Sequence, residues 1–265
     1  MRILAEAAGL YYEEHGAADA PVLILSAGLG GSGGYWSPNI PALAEHFRVI
    51  AYDHRGTARS ERVCAQGLTL ADLGADMLAL MDALRIERAS LMGHAIGGMA
   101  ALEAARAAPD RIERVVVVNG WASLDPQTAR CFSARLAVLD GGGPRAYLEA
   151  QPIFLFPATW LSEHDAAFQA ETEHHLASWP GEDTMRTRIA AARGFDCSGW
   201  AGDLTCPVLM VSAADDLLVP WTSSEKHKAL IGANASHIHL PWGGHAVNLT
   251  DPAPFQSAVI DFLRS

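Results

Sequence analysis

Short apolar runs punctuate the chain, each bounded by turn residues. Val22-Leu23-Ile24-Leu25, Phe47 to Tyr52, Ala89 to Met92, Val115 to Val118, Val208 to Val211 and His237 to Leu240 are of this kind. Such runs predict strands, and the most uniformly apolar of them read as strands buried on both faces of a parallel sheet. Two shorter runs rich in Leu and Tyr, with Gly9 between them, predict an opening hairpin that ends at Glu13-Glu14. Between strands the period changes. Leu73, Met77, Leu80, Met81 and Leu84 share one face of a helix over 70–84, and an alanine-rich helix over 98–108 stops at Pro109. Strands alternating with helices mean an α/β fold with a mostly parallel, doubly wound sheet.

The rhythm breaks after Trp121. From 123 to 200 there is no strong strand run, only helical stretches and aromatic clusters such as Pro152 to Pro157 and Trp160. Strand rhythm resumes at Cys206-Pro207. The pattern predicts one domain over 1–265 with a helical cap inserted at 123–200, which suits a chain of 265 residues that is half hydrophobic.

Thirty acidic against nineteen basic residues give a formal charge of −11. That balance disfavours nucleic acid or an anionic membrane as partner, but one or two local arginines could still hold a small anionic substrate. Cys64, Cys131, Cys197 and Cys206 form no CxxC pair, so idle thiols in a reducing compartment are expected. The N-terminus lacks a signal-like apolar core, and no stretch approaches the about 20 apolar residues of a membrane helix. A soluble, cytoplasmic protein acting on a small molecule is the expectation. His174-His175 and His237-x-His239 invite a metal reading, but no third ligand presents itself, so neither metal nor cofactor is expected.

Three elements carry chemistry. Gly93-His94-Ala95-Ile96-Gly97 follows a buried strand and opens a helix, which is the place of a G-x-S-x-G nucleophile elbow with alanine where serine would stand. Asp215-Asp216 follows the strand at Val208 to Val211, and His245 follows the last strand in Gly243-Gly244-His245. Either aspartate could face the histidine. The glycine-rich loop from Gly28 would complete an oxyanion hole with the Leu29 and Ile96 amides as donors.

In this company the chain resembles an α/β-hydrolase from end to end. Asp53, Arg55, Gly56 and Ser60 match the family's D-x-R-G-x-G-x-S pattern, with Ala58 in place of its second glycine. Ala27 replaces the histidine often found before the oxyanion glycine. The resemblance implies an eight-stranded, mostly parallel sheet flanked by helices, with Asp216 and His245 as acid and base; it also allows a homodimer. A narrower resemblance, to the hydrolases of the Rut pyrimidine-utilisation pathway, covers core and cap. It rests on Gly28 to Gly33 with Tyr35-Trp36, Gly93 to Gly97, Asn119-Gly120-Trp121, Arg130-Cys131-Phe132, Gln151 to Trp160, Asp215 to Pro220 and Gly243 to Ala246. It implies hydrolysis of 3-aminoacrylate to malonic semialdehyde and ammonia in uracil breakdown, or of carbamate, and it makes Ala95 a native feature of the elbow.

Without a hydroxyl at 95 there is no acyl-serine route. An enamine suits that loss, because its imine tautomer can take up water directly, with His245 oriented by Asp216 as base and then acid. Two other functions stay open: a serine hydrolase inactivated by a serine-to-alanine change, and a non-catalytic hydrolase fold that binds a ligand. Trp36 and Trp121, with Phe156 and Trp160, either line a pocket between cap and core or pack the cap. Asn119 and Arg130 are the candidates for polar substrate contacts from the cap side, against a structural hydrogen bond or a solvated charge. His94 is expected to pack beside the elbow.

Overall fold

The computed structural model describes residues 3–61 and 63–265. Among these residues are eight strands: β1 Ile3–Ala7, β2 Leu10–His15, β3 Val22–Ser26, β4 Arg48–Tyr52, β5 Ala89–His94, β6 Ile112–Val118, β7 Val208–Ala213 and β8 Ala235–Leu240. They form one sheet in the order β1-β2-β4-β3-β5-β6-β7-β8. β2 is antiparallel to both of its neighbours, and every pairing from β4 to β8 is parallel.

Strand periodicity sends successive side chains to opposite faces. Val115 and Val117 enter one core with Ile24, Ile50 and Leu91; Val116 and Val118 enter the other with Leu25, Met92 and Leu209. The first core is covered by α2 (Leu70–Ala83) and α3 (Ile96–Ala107), the second by α1 (Ile40–Ala44) and, through Phe255, Val259 and Leu263, by the C-terminal Pro252–Arg264 helix. Thr69 caps α2 in a reciprocal box with Asp72, which fixes where that helix begins. α3 starts two residues ahead of the expected 98, because the chain turns into helix directly at the elbow.

Between β6 and β7 lie four α-helices: α4 Pro126–Leu155, broken at Gly143 (φ 70°), α5 Ala158–Glu163, α6 Asp165–Ala177 and α7 Glu182–Gly194. The two ends of this insertion meet. Ser123 bridges Asp196, and the Cys197 amide donates to the Ala122 carbonyl at 2.9 Å. After β7 come α8 Trp221–Ile231, α9 Val247–Thr250 and, as the last element, α10 Pro252–Arg264. Among the described residues no helix is long and apolar enough to cross a membrane.

One buried pair gives the fold a pH dependence. His227 on α8 lies 3.3 Å from the Cys197 thiol, and burial pushes it from 6.5 down to about 4. A base depressed in the folded state stabilises fully above its unfolded value, and that contribution is lost as the pH falls from 6.5 towards 4. The loss is about 3 kcal/mol for a shift of this size. His54 and His94, also held low by burial, act in the same direction. Urea midpoints measured from pH 7 to 4 should fall steeply, and His227→Leu should flatten part of that slope.

Candidate active site

The elbow is built from close backbone contacts. Ala95 joins β5 to α3 with φ 46° and ψ −116°, a conformation that costs a non-glycine residue about 1–3 kcal/mol. It is held by its amide, which donates to the Val118 carbonyl at 2.8 Å, and by its carbonyl, which accepts from Gly98 and Met99. A Cβ at Gly93 would lie 2.1 Å from the Gly97 carbonyl carbon, and one at Gly97 would lie 2.4 Å from the Ala27 oxygen. Only glycine lets the end of β3 pass this close to the start of α3.

Asp216 leaves β7 in a turn that saturates its carboxylate. Oδ1 accepts from the amides of Leu218 (2.8 Å) and Val219 (2.9 Å), and Oδ2 accepts from His245 Nδ1 at 2.8 Å. Both side chains are buried. A carboxylate only accepts, so Nδ1 carries the proton and Nε2 keeps its lone pair, which is the tautomer a general base needs. Asp215 is exposed and accepts from the Gly244 amide at 2.9 Å. It props the histidine loop; Asp216 faces the ring.

Two side chains converge on the His245 carbonyl. Asn119 Nδ2 donates to it at 2.7 Å and to the Gly244 carbonyl at 3.3 Å, and His94 Nε2 donates to it at 2.8 Å. The His94 ring meets the His245 ring edge-on at 4.6 Å and stacks on Tyr35 at 4.8 Å. Burial, and then the neighbouring His245, hold His94 well below the usual imidazole range. A Cβ at Gly28 would sit 2.6 Å from His94 Nδ1, so the glycine-rich loop closes against the same ring.

Behind that loop lies a group that sequence reasoning missed. Arg188 of α7 is fully buried and donates from Nε to the Leu29 carbonyl (2.8 Å), and from Nη2 to the Gly28 carbonyl (3.3 Å) and to His54 Nδ1 (2.9 Å). Because the guanidinium can only donate, His54 carries its proton on Nε2 and passes it toward Ser26 Oγ, 2.8 Å away. Desolvation pushes Arg188 down to about 10, and burial together with its charge holds His54 far below 6.5. Arg135 on α4 is also buried, against Tyr147 and Gln151.

Several expected substrate contacts lie elsewhere. Arg130 projects from the exposed side of α4, off the stripe of Thr128, Cys131, Phe132, Arg135 and Leu139 that packs inward, so it is a solvated charge. Trp36 is fully buried in the second core against Phe255, so it packs the fold and lines no pocket. Trp121 packs edge-on to Phe132 in the first core. Asn119 stands at the end of β6, not on the insertion, and its amide group serves the histidine loop. Phe156 and Trp160 stack on one another at 4.9 Å beside Phe168. His237 and His239 both reach Ser212 Oγ, at 2.7 and 3.3 Å, and among the described residues no cluster of three metal-ligating side chains occurs. The signal for Arg188 was present: it falls on the helical stripe of Met185, Ile189 and Ala192, where a charge can only be buried.

Comparison with known proteins agrees with this fold. The family model described as alpha/beta hydrolase fold matches residues 21–252. The chain is 49% identical over 257 residues, 96% of each sequence, to a protein of Caulobacter sp. (strain K31) named "Putative carbamate hydrolase RutD". It is 46% identical over 255 residues, again 96% of each, to the protein of the same name from Variovorax paradoxus (strain S110). Among solved structures it is similar to the enol-lactonase of Burkholderia xenovorans LB400, with a TM-score of 0.88 and 27% identity over 99% of this chain and all of that one.

Proposed function

The chain belongs to the alpha/beta hydrolase fold family, and from that premise we propose that it hydrolyses the carbon–nitrogen bond of 3-aminoacrylate, giving malonic semialdehyde and ammonia, with no covalent enzyme intermediate. The observation that carries this reading is the combination of an intact base with a missing nucleophile. His245 is held by Asp216 in the proton-accepting tautomer, while the elbow beside it ends in the Ala95 methyl group. A relic would have no use for the pair, and an acyl-transfer enzyme could not do without the hydroxyl.

The imine tautomer of aminoacrylate has an electrophilic C3. His245 Nε2 takes a proton from water as its oxygen bonds to C3 of the protonated imine and the C=N π pair moves to nitrogen, giving a neutral carbinolamine. The nitrogen is then protonated by the imidazolium, the C–N bond breaks with its electron pair going to nitrogen, and the remaining hydroxyl loses a proton to leave the aldehyde. Water in and ammonia out balance the reaction. The Leu29 and Ile96 amides hold the substrate carboxylate; Ile96 opens α3, where an amide has no partner inside the helix. The helical insertion acts as the cap, bringing Arg188 to the Leu29 loop and the Leu155 carbonyl to the Ala246 amide at 3.0 Å.

Carbamate is the second substrate to be weighed, because it stands in the relatives' name. Ammonia release from carbamate and from aminoacrylate generated in place, each with its uncatalysed rate subtracted, separates the two; enzyme-dependent release is expected from aminoacrylate. Ala95→Ser separates the mechanism from that of a disabled serine hydrolase. Little gain and no burst with an activated ester is the expected outcome, whereas a burst followed by turnover would identify a serine enzyme that had lost its nucleophile.

A further inference from the structure

Arg188 lacks what a buried cation ordinarily has: among the described residues it has no carboxylate partner. Its hydrogen-bonding neighbours are two backbone carbonyls and a neutral imidazole, and its Nη1 is buried without an acceptor among the described residues. Asp76, the buried carboxylate whose charge it feels, is already bound to Arg55. Burying a charge without its counter-ion is costly, so a loop clamp alone is a poor reason to put arginine here. Carbonyls can be held by neutral donors.

The peptide geometry indicates where the missing counter-charge belongs. The peptide joining Gly28 to Leu29 is trans, so the Gly28 carbonyl and the Leu29 amide point in opposite directions across one plane. Arg188 Nη2 and the Gly31 amide both donate to the Gly28 carbonyl, at 3.3 and 3.0 Å. A cation on the carbonyl side polarises the peptide and makes the opposite N–H a stronger donor. The Leu29 amide donates to no described residue. That leaves a fixed positive charge on one side of the peptide and a free, strengthened donor on the other.

We propose that Arg188 is a positioning and specificity-determining residue, whose charge, relayed through the Gly28–Leu29 peptide, makes the Leu29 amide a receptor for a carboxylate and so selects anionic substrates over neutral ones. This rests on the reading of the Leu29 loop as the carboxylate site, but not on the reaction carried out there. It also explains how a chain of net charge −11 accepts an acid: the attraction is local and buried.

Propionate and its uncharged counterpart propionamide, titrated onto the intact protein and followed by ligand-observed NMR, test this. Wild type should bind propionate more tightly than propionamide. Arg188→Gln, which keeps a donor for the carbonyls but removes the charge, should weaken propionate by about tenfold and leave propionamide unchanged, a smaller effect than deleting an oxyanion donor outright. Arg188→Lys should restore part of the preference. Equal loss of both probes in Arg188→Gln would mean a structural clamp only, and unchanged propionate binding, or no preference in wild type, would equally overturn the proposal. If aminoacrylate is not turned over while the propionate preference follows the charge at 188, the proposed reaction fails and the role of Arg188 stands.

Discussion

His245→Ala is expected to slow enzyme-dependent ammonia release from aminoacrylate by about 100- to 10,000-fold, the range that a positioned acid–base group supplies. No other described side chain can take over. The nearest imidazole, His94, has committed its Nε2 proton to the His245 carbonyl and is held neutral by burial. Asp216→Asn should be nearly as damaging for a different reason. If the new amide oxygen keeps the Leu218 and Val219 hydrogen bonds, the amide NH2 faces His245 Nδ1 and donates to it. The ring must then carry its proton on Nε2, where it cannot act as base. Folding should survive this change, so the ammonia assay and a urea midpoint together distinguish a lost tautomer from a lost fold. Asp215→Asn is the comparison: it loosens a prop on the Gly244 amide and should cost far less activity.

The second large effect is expected at Gly97. A methyl group there would lie 2.4 Å from the Ala27 oxygen and 2.5 Å from the Ser26 oxygen, both backbone atoms that cannot rotate away. Gly97→Ala must push β3 and α3 apart, at about 2–3 kcal/mol by the usual cost of overpacking a tight site. The same movement separates the Leu29 and Ile96 amides, so the molecules that still fold should have lost most of their activity. Gly30→Ala, next to Leu29 in the glycine-rich loop, meets nothing within 4 Å, and it should change neither quantity. Urea unfolding and ammonia release on the two variants make this a paired test.

Much of the fold was legible because period and burial agree. The run Val115 to Val118 could only be a strand covered on both faces, and Val115 and Val116 do enter different cores. Chain order alone brought elbow, acid and histidine together, since all three follow strand ends on one edge of a parallel sheet. What escaped was whatever depends on which face of a helix turns inward. Arg130 and Arg135 are five residues apart on α4, and motif position favoured the first while the apolar stripe buries the second. Trp36 sits beside Tyr35 in a loop with the look of a pocket rim; the short 3-10 turn over Gly33–Trp36 sends the indole into the second core and leaves Tyr35 against His94. Asn119 looked like a substrate contact because it is polar at a strand end. Its left-handed φ of 52° turns the amide back to the His245 carbonyl, which no spacing rule reveals.

The central claim is that water activated on an imidazole does the work of an absent nucleophile. Following ammonia release and the intact mass of the wild-type protein together during turnover of aminoacrylate tests it most directly. Accelerated ammonia release with a protein mass that never changes is the predicted result. A transient adduct on the chain, or release no faster than the uncatalysed decay, would contradict it.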